Sequence, residues 1–167
     1  REVVIEHDAP WEGNASGSRS VLQDGDTYRM YYRGWNFNTL PGKFEFAHNE
    51  VVCYAQSQDG IHWVKPDLGI VEYEGSKQNN IIVDGIGSSN FMPFIDENPA
   101  CPREERYKAL AGNKAEGGLF AYQSPDGIHW SLMQEKPVIT NGAFDSANLG
   151  FWDPSIGQYC VNGTATT

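Results

Sequence analysis

The sequence predicts an all-β protein: a partial β-propeller with two complete four-stranded antiparallel blades, followed by the first strands of a third. Three observations carry this. The stretch Ser57-Gln-Asp-Gly-Ile-His-Trp63 returns as Ser124-Pro-Asp-Gly-Ile-His-Trp130, identical at 6 of 7 positions and 67 residues further on. Self-similarity at a fixed spacing marks a repeat architecture. Around both copies, short apolar runs and turn residues follow in the same order, about four runs to a round, which describes a propeller blade. The composition agrees, with 18 glycines, 9 prolines and 13% aromatic residues, and no segment carries helical spacing over two turns.

The elements follow in order. Val3-Val4-Ile5 predicts a short strand, and His7 to Gly17 is a polar, turn-like stretch. Ser18 to Leu22 predicts the first strand of round one, closed by the turn Gln23-Asp-Gly-Asp26. Tyr28 to Gly34 predicts the second, with aromatic and charged residues mixed. Asn36 to Asn49 reads as a loop broken at Pro41-Gly42. Glu50 to Gln56 predicts the third strand and runs into the first motif; beyond the turn Lys65-Pro-Asp67, Gly69 to Tyr73 predicts the fourth. Round two repeats the order at Asn90 to Ile95, Tyr107 to Ala111, Leu119 to Gln123 and Trp130 to Ile139. A third round opens with Asn148 to Trp152, the turn Asp153 to Gly157, and Tyr159 to Val161, while Asn162 to Thr167 has no strand character. The expected organisation is one domain over residues 1–167, with blade 1 at about 14–80, blade 2 at about 81–140 and a partial blade 3 at about 141–167.

Recurrence separates frame from candidate site. In the motif, Asp and Gly set a tight turn, the Asp by taking up backbone N–H groups and the Gly by adopting positive φ, while the Ser hydroxyl braces it. His62 and His129 occupy the same place in both copies, so they read as scaffold and no metal is expected. Asp24, Asp96 and Asp153 each follow the first strand of a round and read as turn residues for the same reason.

Charge and cysteine content exclude several classes. A net charge of -10 would repel a phosphate backbone, so no nucleic-acid partner is expected. Cys53, Cys101 and Cys160 stand apart, without zinc-ribbon or disulfide-framework spacing, and no cofactor is implied. No apolar run reaches the length of a membrane span, and no membrane partner is expected. No signal peptide is visible and the chain opens on Arg, which leaves localisation open.

The segments leading into the innermost strands are Asp8 to Asn14, Gly87 to Asn90 and Phe144 to Asn148, and they do not repeat one another. Non-repetition where the frame repeats is what a ligand site produces, and an irregular loop looks the same. Asp8, Glu12 and Asp145 are the candidate catalytic acids. Trp11, Asn14, Arg33, Trp35, Asn90 and Asn148 are the candidate carbohydrate contacts. Carboxylates from different blades beside an aromatic surface suit glycoside chemistry, in which one acid protonates the leaving oxygen and a second stays ionised. The alternative is that these acids are solvated loop residues or strand caps.

The runs Trp11-Glu-Gly-Asn14 and Asp24-Gly-Asp-Thr-Tyr-Arg-Met-Tyr-Tyr-Arg-Gly34 resemble the first blade of bacterial proteins related to five-bladed propeller glycoside hydrolases of families 32, 43 and 68. Gly75 to Asn80, Arg106 to Leu110 and Phe144 to Asp153 extend the resemblance to about Tyr159. The resemblance implies a central pocket with three carboxylates: a nucleophile or base from the first blade, a stabilising Asp from the second and a Glu acid from the third. Here Asp8 and Glu12 offer the first, Ser88, Ser89 and Asn90 stand where the second is expected, and no Glu follows Asp145. The chain also holds about half of a five-bladed ring. Three functions follow: a glycosidase remnant without its full catalytic set, a non-catalytic carbohydrate-binding module, or a homo-oligomer that completes its sheets by association.

Overall fold

The computed structural model describes residues 2–162. The chain is all-β and divides into two compact units, Arg1–Gly85 and Ile86–Thr167. Among the described residues the only helical segments are single 3₁₀ turns at Arg103–Glu105 and Lys114–Glu116.

The first unit contains β1 (Gly17–Asp24), β2 (Thr27–Gly34), β3 (Phe37–Leu40), β4 (Lys43–Phe46), β5 (Val51–Ser57) and β6 (Ile81–Asp84). Strands β1, β2, β5 and β6 form one antiparallel sheet in that order. The central pair runs unbroken from Tyr28 opposite Ser57 to Gly34 opposite Val51. β5 carries Val51-Val-Cys-Tyr-Ala55, buried throughout, as expected of a central strand covered on both faces. Met30, Tyr32, Val51, Cys53, Ala55 and Ile81 form a buried cluster, with Ile5, Trp11, Trp63, Val71 and Tyr73 packed at its margin. Each buried aliphatic side chain there contributes on the order of 1.5–3 kcal/mol.

The second unit contains β7 (Met92–Ile95), β8 (Tyr107–Asn113), β9 (Gly118–Ser124), β10 (Ser131–Leu132), β11 (Leu149–Asp153) and β12 (Gln158–Asn162). β7, β8, β9 and β10 form an antiparallel sheet in chain order, and β11 pairs with β12. Register repeats between the units: Tyr107 lies opposite Ser124 as Tyr28 lies opposite Ser57, and Ser131 bridges Gln123 as Val64 bridges Gln56. The β11–β12 pair rests on β7 and β8. Gly150 makes this possible, since a Cβ there would lie 2.8 Å from the Phe94 ring.

Three expectations need correction. Val3 to Ile5 forms no strand; Ile5 packs against the core as irregular chain. Asn36 to Asn49 is not a plain loop but holds the β3–β4 hairpin, turned at Pro41-Gly42 with Gly42 at φ 74°. The fourth strand of round one is Ile81–Asp84 rather than Gly69 to Tyr73. After Val64 touches Gln56 the chain leaves the sheet, and the more buried β-branched run Ile81-Ile-Val83 takes the edge. Round two makes the same excursion, returning where Ile139 bridges Leu119.

The two motifs fold alike. The Ser57 hydroxyl accepts from the N–H of Gly60 at 2.9 Å and donates to Asp59 at 3.0 Å; Ser124 does the same with Gly127 at 2.9 Å and Asp126 at 3.1 Å. Each Asp then accepts from the two N–H groups that follow the Gly, at 2.8–2.9 Å. His62 and His129 sit on their own motif Asp at 2.6 and 2.7 Å. Gly60 and Gly127 take φ 75°, where a Cβ is strained. The Trp63 and Trp130 ring N–H groups donate to the Gly60 and Gly127 carbonyls, both at 3.1 Å. Trp63 closes on the core of its own sheet, and Trp130 meets Phe91 edge-on at 5.0 Å.

The acids after each first strand are anchored too. Asp24 pairs with Arg29 at 3.0 Å, buried Asp96 with buried Lys108 at 2.6 Å, and Asp153 accepts from Ser155.

Partial burial opposes the charge of Asp126, but the His129 and Ile128 N–H groups, the His129 ring and Ser124 outweigh it and hold the carboxyl at about 2, below its ordinary 3.8. A depressed carboxyl stabilises the fold above its ordinary value, and this is lost as pH falls through the depressed one. Urea unfolding of Asp126→Asn between pH 5 and 2 is therefore expected to show a shallower loss of stability than the parent chain. Equal slopes would contradict this account.

Candidate functional site

In the first unit, the lead-in to β1 crosses the sheet end and buries one carboxylate completely. Glu12 has no exposed surface. Its carboxylate accepts from the Tyr32 hydroxyl at 2.5 Å, the Lys65 ammonium at 2.8 Å and the Ala9 N–H at 2.9 Å. Burial above all, and the charges around it, raise the Tyr32 hydroxyl well above its ordinary value, so it stays a donor. Asn80 extends the network, donating to the Tyr32 oxygen at 2.7 Å and accepting from the Trp11 ring N–H at 2.7 Å. Trp11 thus points inward, edge-on to Tyr73 at 5.9 Å.

Asp8 lies at the other side of the same lysine. Lys65 donates to it at 2.8 Å, and Asp8 is otherwise in solvent. The Lys65 hydrogen bond and charge hold the Asp8 carboxyl below its ordinary value. Beside it, burial pushes His7 below its ordinary value, with Arg19 and Lys65 adding to that effect against Glu12 and Asp8. Its Nε2 lies 3.1 Å from the Arg19 guanidinium and accepts from it, which places the proton on Nδ1.

The hairpin β3–β4 is tied to this lead-in by Asn14, whose amide donates to the Phe37 carbonyl and accepts from the Phe37 N–H, both at 2.9 Å. Arg33 bonds Glu50 at 3.2 Å and lies 4.8 Å over the Trp35 ring. Phe46 stacks on Trp35 at 5.1 Å and 13°. Arg33 and Phe46 both lie against Trp35, and the accessible rings are Phe44 and Phe46, 73% and 59% exposed. Both were missed in sequence. Their signal was the alternation Phe44-Glu-Phe46 on one strand, which places both rings on one face with Phe37 and Thr39.

In the second unit, Ser88, Ser89 and Asn90 are buried where the lead-in to β7 turns, with Asn90 at φ 53°. The Asn90 amide donates to the Phe144 carbonyl at 3.4 Å, and Phe144 itself sits at φ 55°. Asn148 is buried; its amide donates to Ser146 at 2.7 Å, and its Oδ1 has no partner. Asp145 is exposed. A carboxylate unforeseen in sequence also reaches this lead-in: Glu116, from the turn between β8 and β9, accepts the Gly87 N–H at 2.8 Å. Asp8, Glu12, Trp11, Asn14, Arg33 and Trp35 therefore belong to the first unit, and Asn90, Asp145 and Asn148 to the second.

No family model matches the chain. It is 48% identical over 148 residues to an uncharacterized protein of Mycobacterium tuberculosis, matched in two strains, over 84% of this chain. The chain spans 40% of the length of these curated relatives. Among solved structures it is similar to a glycosyl hydrolase from Bacteroides ovatus, 18% identical with a TM-score of 0.49, over 84% of this chain and 39% of that one. A second, 16% identical with the same TM-score and coverage, belongs to a study of the GH130 family of mannoside phosphorylases and of its glycoside hydrolases that target β-1,2 mannosidic linkages in Candida mannan.

Removing the partner of a buried charge strands it, at a cost of about 3–5 kcal/mol where both groups are sealed and less where, as at Lys65, one is partly exposed. Lys65→Met, which leaves Glu12 sealed and unneutralised, is expected to lose about 1–3 kcal/mol in urea unfolding, and adding Glu12→Gln should recover part of it. A loss below about 1 kcal/mol would contradict the buried pairing.

Proposed function

We propose that this chain is a carbohydrate-binding part of a glycoside-hydrolase-like β-propeller protein, and that it does not hydrolyse glycosides by itself. The observation that carries the reading is the surface made by Phe44 and Phe46 beside the Arg33–Glu50 pair, on a hairpin pinned by Asn14. Flat apolar rings receive the C–H face of a sugar, and a fixed fork of N–H donors next to a carboxylate suits neighbouring hydroxyls. The motif repeat and the resemblance to propeller glycoside hydrolases point to the same ligand class.

The acids bear on turnover. Glycoside hydrolysis needs one reachable protonated carboxyl and one reachable carboxylate. Glu12 is sealed beneath Tyr32 and Lys65, and Lys65 favours the ionised form of Asp8. The first unit's surface therefore offers recognition without Glu12 or Asp8 as the proton donor.

Titration with a panel of neutral oligosaccharides, followed by calorimetry and tryptophan fluorescence, is expected to show binding to at least one. Phe46→Ala should weaken it tenfold or more, about 1.4 kcal/mol. Nitrophenyl glycosides are expected to stay uncleaved. Cleavage abolished by Asp8→Asn, or no binding across the panel, would overturn the proposal.

A further inference from the structure

We infer that the β3–β4 hairpin is a self-association site, in which the outer edge of β4 pairs antiparallel with β4 of a second copy of this chain about a two-fold axis at Phe44. The hairpin stands outside the frame of the repeat. It forms a two-stranded sheet of its own between β2 and β5, where round two has a single 3₁₀ turn, Lys114–Glu116, between β8 and β9. The repeat pairs its strands within four-stranded sheets, and a hairpin outside those sheets is not paired by the repeat. Among the described residues β4 pairs with β3 alone.

The ladder fixes which backbone groups face outward. The Ala47 N–H donates to the Asn36 carbonyl at 3.1 Å, one step beyond the pair of Phe37 and Phe46. Bonded and unbonded pairs alternate along an antiparallel ladder, so Lys43 and Glu45 bond to β3 while the N–H and C=O of Phe44 and Phe46 point away from it. Two β4 strands set antiparallel with Phe44 opposite Phe44 exchange both N–H···O bonds at that residue. Lys43 of each copy then falls opposite Glu45 of the other, in the closely spaced pairs where side chains meet best.

The strand, Lys43-Phe-Glu-Phe46, admits this register and opposes its neighbours. Slipping by one residue carries the rings to the charged face. Slipping by two sets Lys43 against Lys43 or Glu45 against Glu45, and like charges directly opposite destabilise a sheet. A lysine on an edge strand ordinarily turns other strands away. Here the glutamate two positions on gives it an opposite charge in a copy of itself. Both side chains are within reach, 66% and 42% exposed, and in the single chain they pair with each other along the strand. The association is isologous and so closes at two copies. It leaves the face carrying Phe44 and Phe46 open, and so does not compete with the ligand surface proposed above.

Sedimentation equilibrium over a concentration series tests the pairing. The unaltered chain is expected to pass from monomer to dimer as concentration rises. Lys43→Glu and Glu45→Lys are each expected to weaken the dimer tenfold or more, although Glu45→Lys lowers the net negative charge that keeps chains apart. Mixed in equal amounts, the two single variants are expected to recover a dimer, since one then supplies two acids and the other two lysines. The double variant Lys43→Glu/Glu45→Lys is expected to dimerise as the unaltered chain does. Both sites are exposed, and thermal unfolding verifies that each variant keeps its fold. A chain that stays monomeric at every concentration, single variants that dimerise as tightly as the parent, or a mixture no better than its components would overturn the proposal.

Discussion

One carboxylate at the turn between the third and fourth strands sets the frame of each sheet. Asp59 and Asp126 each gather a serine hydroxyl, two backbone N–H groups and a histidine ring, so the chain can reverse only where that side chain stands. The reversal fixes Gln56 opposite Val64 and Gln123 opposite Ser131. A slip of one residue would turn every side chain of a strand to the other face, so the turn also decides what is buried. The serine opposite the second-strand tyrosine and the tryptophan folded back on the turn are consequences of the same fixed point.

With the frame held by the turns, the lead-in segments are free to differ, and they do so chemically. In the first unit the lead-in spends its glutamate on structure. Glu12 neutralises Lys65 and orders Tyr32 and Asn80 beneath Trp11. A buried charge tolerates such a place only with its donors satisfied, and three donors meet it. That arrangement stiffens the support of the β3–β4 hairpin while removing the acid from solvent. Recognition and hydrolysis make opposite demands on such a residue, and a sealed glutamate suits the recognition proposed above.

Much of the frame was legible in sequence because repetition exposes it. The motif turns, the second strands at Tyr28 and Tyr107, and the anchored acids Asp24, Asp96 and Asp153 follow from equivalent positions alone. The fourth strand of round one was not legible, because Gly69 to Tyr73 and Ile81 to Asp84 are both short apolar runs. The choice between them rests on which buries more completely against β5. The hairpin was hidden by its turn residues, since Pro41-Gly42 marks a loop and a hairpin turn equally well. In the lead-ins, residue type revealed polar chemistry but not direction. Glu12 and Trp11 point inward and Asp8 outward, and no spacing rule distinguishes them in a segment without periodicity. Glu116 lies 29 positions from Gly87 and meets it only through the fold.

If the motif turns set the frame, they are the last parts of their sheets to open. Native-state amide hydrogen exchange at His62 and His129, whose N–H groups bond Asp59 and Asp126, measures this. The structure predicts opening free energies equal to those of the central strands, at Tyr54 for the first unit and Ala109 for the second. Exchange as fast as that of the exposed β3–β4 hairpin would mean that the turns form after the sheets, and would contradict the account.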